Sequence, residues 1–173
     1  MKIKSLFFIL AVVIVTACSK DLLDITFDVP LKSDMNVNIA KGAKANGTFD
    51  IKDTIILTDN EDITKYLANI KKWVVSGASG TFSTLSTNFK LIDCVINISS
   101  EGNVAEWTFQ NLDIQEGTKV VFDNSNGQFD RVNLMLASKK PIYISFSGTT
   151  DQTGIDYKMA LELLTKVTAS PLN

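Results

Sequence analysis

The sequence contains no histidine and a single arginine, Arg131, in 173 residues. Without imidazole there is no Ser-His-Asp or Cys-His nucleophile system, no histidine general base, and no histidine-ligated zinc or iron. Cysteine is scarce as well, with only Cys18 and Cys94, and proline occurs three times. Basic residues are in slight deficit, 17 against 19 acids, so the concentrated positive surface of a nucleic-acid binder is missing. Beyond Val15 no apolar run approaches the roughly 18 residues of a membrane-spanning helix. What remains suits one domain with a substantial core, since a chain of about 150 residues buries roughly 70% of its unfolded surface.

The first eighteen residues carry the sharpest motif. Lys2 and Lys4 precede an unbroken apolar run from Leu6 to Val15, followed by Thr16-Ala17-Cys18. Ten apolar residues make a helix of about 15 Å, half of a hydrocarbon core near 30 Å, so the run reads as an export signal rather than a span. Val15-Thr16-Ala17-Cys18 resembles the lipobox of bacterial lipoproteins: an aliphatic residue, small residues, then the modified cysteine. Thr16 stands where serine, alanine or glycine is commoner. The resemblance implies that the Cys18 thiol is diacylated and that the chain is cut just before it. Removal of seventeen residues and two lysines then leaves 156 residues with a net charge of −4. Each buried CH₂ contributes about 0.8 kcal/mol, and two acyl chains anchor stably where one does not. The expected organisation is a signal peptide over 1–17, a lipid-anchored tether over 18–24, and one domain over 25–173.

Two further resemblances point to the outer membrane of Bacteroidota. Ser19-Lys20-Asp21 is similar to the Lys-plus-acid tethers of that phylum's surface lipoproteins, with Leu22 where a second acid belongs. Asp53-Thr54-Ile55 matches the Asp-Ser/Thr-aliphatic acceptor of its extracytoplasmic O-glycosylation. That makes Thr54 a candidate acceptor, against the alternative of a plain polar turn into a strand. Location in the envelope follows; the surface and periplasmic faces both stay open.

If Cys18 carries lipid, Cys94 has no disulfide partner. Between Phe89 and Ile98 it is expected on the same side of a strand as Ile92, Ile96 and Ile98, as a small core hydrophobe. A catalytic thiol there lacks any histidine to activate it.

Period-two alternation dominates the body of the chain. Ile25, Phe27, Val29 and Leu31 share one face, with Pro30 marking an edge strand or a strand end. Met35, Val37 and Ile39 continue the pattern. Further strands are expected over 48–58, at Trp73-Val74-Val75 and Thr81-Phe82-Ser83, over 89–99, at Glu106–Phe109, over 118–122 and over 141–146. The reading is mainly β: an antiparallel sandwich of about eight or nine strands, immunoglobulin-like or similar, with one or two short helices.

The first helix follows the capping cluster Asp59-Asn60-Glu61-Asp62, with Ile63, Tyr66, Leu67 and Ile70 on one face and Lys71 and Lys72 at its C-terminal end. The second spans 127–138, with Phe129, Val132, Leu136 and Met135 inward, and Pro141 beyond its end. Residues 157–164 alternate but also contain strong helix formers; a strand is expected, in a hairpin with 142–150 across the short turn Thr150–Gly154. The pattern resembles small sandwich lipoproteins of Bacteroidota, in which a helix of this type leads into a strand. That resemblance implies architecture and brings no functional residues.

Chemistry-bearing constellations are few. Asp123–Asp130 resembles a calcium loop, but with Gly127 at loop position six, Phe122 falls at position one, where an acid is required. No metal is expected, and no cofactor beyond the acyl lipid on Cys18. Asp28, Asp50, Asp53 and Asp93 lie on strands, so a carboxylate pair at the roughly 5–9 Å of acid/base work is conceivable. Trp73 and Trp107 read as core before glycan platform. The expected function is a non-enzymatic interaction or accessory module, tethered to the membrane and meeting an envelope protein partner, with no nucleic acid. The alternative is a glycan- or small-amphiphile-binding lipoprotein, with a pocket between the sheets or at loop tips.

Overall fold

From Ile25 to Ile39 the side chains alternate inward and outward without a break, and this segment forms β1 (Ile25–Ile39). In the computed structural model, which describes residues 24–42 and 44–171, seven further strands follow: β2 (Gly47–Ile55), β3 (Ile70–Ser83), β4 (Phe89–Ser100), β5 (Asn103–Ile114), β6 (Lys119–Phe122), β7 (Ile142–Thr150) and β8 (Ile155–Ala169). Two helices interrupt them, α1 (Glu61–Tyr66) and α2 (Gln128–Ala137). The expected signal peptide, Cys18 and all of the tether except Asp24 lie outside the described residues.

Pairing follows one rule. β1 pairs with β8, β2 with β7, β3 with β6 and β4 with β5, all antiparallel. The chain is thus doubled on itself about the tight turn at Glu101-Gly102 and then rolled up. The product is two four-stranded sheets, ordered β1-β8-β3-β6 and β2-β7-β4-β5. This is the antiparallel sandwich expected, and its eight strands follow the order of a jelly roll rather than that of an immunoglobulin domain. β1 is an edge strand, as Pro30 requires.

The expected hairpin between 142–150 and the C-terminal strand does not form. The strand itself is present, but β8 pairs with β1 and β3 while β7 pairs with β2 and β4, so the turn between them crosses from one sheet to the other. Asp151 N–H donates to the Lys90 carbonyl and Gly154 N–H to that of Ile39, 3.0 and 2.9 Å, and Gly154 takes a left-handed φ of 72°. A short polar turn serves equally for a hairpin and for spanning the roughly 10 Å between packed sheets. Loop length alone therefore does not select the partner.

The first helix is shorter than its apolar spacing suggests. Asn60 caps it, its side-chain oxygen accepting from Ile63 N–H at 3.0 Å, with Glu61 and Asp62 in the first turn. After Tyr66 the chain tightens into a 3-10 turn, Leu67–Asn69, and β3 begins at Ile70. Lys71 and Lys72 accordingly lie on a strand, not at a helix end. The second helix begins one residue after Gly127, which adopts a left-handed φ of 69°.

Between the sheets lies an aromatic cluster. Phe146 packs against Phe49, and Tyr157 sits among Phe49, Phe82 and Phe89, with ring centroids 4.6–6.1 Å apart. Farther along, Trp107 stacks on Phe122 at 5.2 Å. β6 ends after four residues, and α2 takes up the room beside β3 and β5 beyond it. There Asn133 accepts from Val75 N–H at 2.8 Å, and Trp107 Nε1 donates to the Asp123 carbonyl at 2.8 Å. Both bonds satisfy groups that a longer β6 would have covered.

Candidate functional site

The two outer faces of the sandwich differ in chemistry. On the β1-β8-β3-β6 sheet, outward side chains of β1 and β8 pair with one another, directly opposite or, for Asp34 and Lys158, on the diagonal. Lys32 pairs with Glu162, Asp34 with Lys158 and Asp28 with Lys166, at 3.3, 2.7 and 4.0 Å. Thr26 bonds Thr168, and Asn38 bonds Asp156.

The outer face of the β2-β7-β4-β5 sheet is built of cross-strand rows. Thr54, Tyr143, Ser99 and Val104 form one; Lys52, Ser145, Asn97 and Glu106 the next. Asp50, Ser147, Val95 and Thr108 follow, then Thr48, Thr149, Asp93 and Gln110. Here Asp50 and Lys52 pair at 3.7 Å along the same strand. The hydroxyls of these rows make no intramolecular hydrogen bond among the described residues, in contrast to those of Thr150, Ser100 and Ser76, which bond backbone carbonyls. Asn97 Oδ1 is shut off from solvent without a partner. Tyr143 is 56% exposed, the one exposed aromatic side chain among the described residues. It borders a cleft of ≈ 420 Å³ lined also by Lys52, Asp53, Thr54, Ser99, Ile144 and Ser145.

Thr54 therefore stands exposed on an edge strand, its hydroxyl free, at the rim of that cleft. Its neighbour Asp53 faces inward and accepts from Ser33 Oγ. The four strand aspartates are not brought together. Asp28 is on the opposite sheet, beside Lys166. Asp50 and Asp93 share a face but lie two strands and one row apart, about 12 Å between backbones, too far for paired acid/base work.

Cys94 is buried at 2% exposure. Its side matches Ile96 and Ile98 but not Ile92, contrary to the simple alternation. A bulge between Leu91 and Asp93 shifts the register against β7, so inward positions pass from Leu91 to Cys94 and Ile92 turns aside. Burial, then the Asp93 carboxylate, pushes the Cys94 thiol up from 9.0 to about 12. An inert thiol results, not a nucleophile. Burial also drives the Tyr157 phenol upward; its hydroxyl has no partner.

Trp73 and Trp107 are 5% and 4% exposed, so neither offers a platform to a ligand. Beside Cys94, the space between the sheets is an apolar crevice lined by Phe82, Ile96, Phe109, Phe122 and Met159. It leaves ≈ 10 Å³ for the centre of a water-sized sphere, near the minimum for one water. A pocket for a small amphiphile is not open there. Among the described residues no group of three or more His, Cys, Asp or Glu is placed to hold a metal ion. In the Asp123–Asp130 loop, Asn124 Oδ1 accepts from Phe129 N–H and Asp123 from Ser125 Oγ, at 2.8 and 3.2 Å, so these oxygens organise the entry to α2.

No protein-family model matches the chain, and no curated protein does. Among solved structures it is similar to the decameric BFDV capsid protein, at 14% identity and a TM-score of 0.44 over 83% of this chain and 99% of that one. Turnip yellow mosaic virus is similar at 9% identity and 0.38, covering 86% and 83%. Tobacco necrosis virus is similar at 11% and 0.33, covering 86% and 98%. At these scores the likeness carries no functional argument.

Proposed function

We propose that this protein is a lipid-anchored, non-enzymatic interaction module of the bacterial outer membrane, tethered through the acylated thiol of Cys18. The observation that carries the reading is the Val15-Thr16-Ala17-Cys18 motif behind Lys2, Lys4 and a short apolar run. The position of Asp24 supports it. Asp24 opens onto β1 at one pole of the sandwich, ion-paired with Lys71 at 2.7 Å. Six residue steps separate it from Cys18, a reach of at most about 21 Å. An anchor at Cys18 holds that pole close to the bilayer and leaves both sheet faces to meet an envelope protein partner. A free Thr54 hydroxyl on an edge strand is compatible with O-glycosylation in the same compartment.

Metabolic labelling with an alkynyl fatty acid, followed by mass spectrometry of the N-terminal peptide, tests the anchor. Label on a peptide beginning at Cys18, lost in Cys18→Ser, is the expected result. An unlabelled chain cut elsewhere overturns the reading. Co-purification from detergent-solubilised outer membranes tests the partner, and recovery only as a lone monomer counts against it.

A further inference from the structure

We propose that the outer face of the β2-β7-β4-β5 sheet binds a neutral glycan, with the exposed ring of Tyr143 as its stacking platform between the free hydroxyls of Thr54 and Ser99. Four observations meet there. Tyr143 projects from a row whose other side chains, Thr54, Ser99 and Val104, are short, so a flat ligand can reach one side of the ring. The hydroxyls flanking it, with Ser145 in the next row, have no partner within the described residues. Beneath the surface beside Ser145, Asn97 Oδ1 also lacks a hydrogen-bond partner among the described residues. The cleft of ≈ 420 Å³ falls within the range of small-molecule sites, about 300–1,000 Å³.

The chemistry selects the occupant. A pyranose presents C–H groups on one side, which suit an aromatic face, and hydroxyls around its rim, which both donate and accept. Charge gives an anionic ligand no advantage: Lys52 and Asp53, one of each sign, are the charged residues lining the cleft, so nothing there draws in phosphate, sulfate or uronate groups. The opposite sheet has a cleft of the same volume, lined by Pro30, Ser76, Glu162 and Leu164 among others. No exposed aromatic side chain borders it, however, and ion pairs between β1 and β8 occupy much of that face. Alternation marks Tyr143 as outward without showing that Thr54, Ser99 and Val104, its short row neighbours, lie beside it.

This inference does not depend on Cys18, and its test is separate. Full-length protein in detergent is titrated calorimetrically with a panel of short neutral gluco-, galacto-, manno- and xylo-oligosaccharides. Saturable binding to at least one class is expected, weakened about tenfold by Tyr143→Ala and retained by Tyr143→Phe. Lys158→Ala on the opposite face leaves it unchanged. Because Tyr143 is exposed, thermal melting of Tyr143→Ala stays near that of the parent, which separates lost binding from lost folding. Flat titrations across the panel overturn the proposal, as does binding indifferent to Tyr143→Ala. So does a sugar found covalently attached to Thr54 in envelope-purified protein and filling the cleft. None of these outcomes bears on lipidation, and an unlabelled Cys18 leaves the titration intact.

Discussion

Ser33 of β1 donates its hydroxyl to the carboxylate of Asp53 on β2, joining the two sheets along an edge where no backbone ladder does. Ser33 is 4% exposed, so the bond is sheltered, and hydrogen bonds to charged groups contribute about 1.5–3 kcal/mol. Ser33→Ala is expected to destabilise the fold by about that amount, because Asp53 then faces inward without its donor. Asp53→Asn retains an acceptor and is expected to cost less. Urea unfolding of both variants checks the order, and an Asp53→Asn midpoint below that of Ser33→Ala contradicts it.

Gly148 is the tightest backbone position on the central pair of strands. A Cβ added there would stand 2.3 Å from the Asp93 carbonyl oxygen and 2.9 Å from Cys94 Cα. Both obstacles are backbone, fixed by the bulge beside Leu91, and cannot swing aside. Gly148→Ala is expected to cost at least the 1–3 kcal/mol typical of overpacking, whereas Gly102→Ala meets nothing within 4 Å and costs only its left-handed backbone strain. Thermal melts of the two variants separate the effects. A Gly148→Ala melt equal to that of Gly102→Ala sinks the prediction.

The raised pKa of Cys94 gives stability a pH dependence with a defined sign. Below pH 9 the thiol is neutral folded or unfolded, and its burial is unopposed. Between 9.0 and about 12 the unfolded chain loses the proton while the folded chain keeps it, so rising pH favours unfolding. The upward shift of Tyr157 acts in the same direction. The urea midpoint is expected to hold level from about pH 6 to 8 and to fall above about 9, with a shallower fall in Cys94→Ala. The native thiol is also expected to resist iodoacetamide until denaturant is added. Rapid alkylation of the folded protein would disprove this.

Trp107 ties α2's approach to the core through its Nε1 bond to the Asp123 carbonyl and its stack on Phe122. Trp107→Phe keeps part of the stack and orphans that carbonyl, for an expected loss of about 1–3 kcal/mol. Amide exchange in α2 should accelerate more than in β2, since only the former is anchored by this residue. Uniform acceleration across the domain would contradict a local role.

Alternation marked at least part of each long strand, because a half-buried strand must place one apolar residue in two. β3 read as two fragments, Trp73–Val75 and Thr81–Ser83, since a bulge between Val75 and Gly77 and the run of small residues Ser76–Gly80 hide its middle. Alternation failed at Ile92, where the β4 bulge changes parity without changing composition. It also failed for the partner of β8: Tyr157, Met159, Leu161 and Leu163 bury one face whether they lie beside β7 or beside β1 and β3. Partner choice lives in long-range pairing, and a four-residue turn carries no trace of it. Thr54 stood out from the tripeptide Asp53-Thr54-Ile55. The proximity of Tyr143 to it did not show in the sequence, because residues ninety positions apart meet only through the β2–β7 register.

Ile25 faces Ala169 in the β1–β8 ladder, so both described ends of the chain leave the same pole. With β1 15 residues long, the opposite pole lies about 50 Å away at 3.3 Å per residue. With the lipid anchor proposed at Cys18, a reporter fused after Ala169 would emerge beside the bilayer, crowded against it and screened from antibodies. One inserted into the turn at Asp151–Gly154 would stand at the far pole, clear of the bilayer. Epitope placement at these two positions turns the fold into a ruler, reading height above the membrane from accessibility alone.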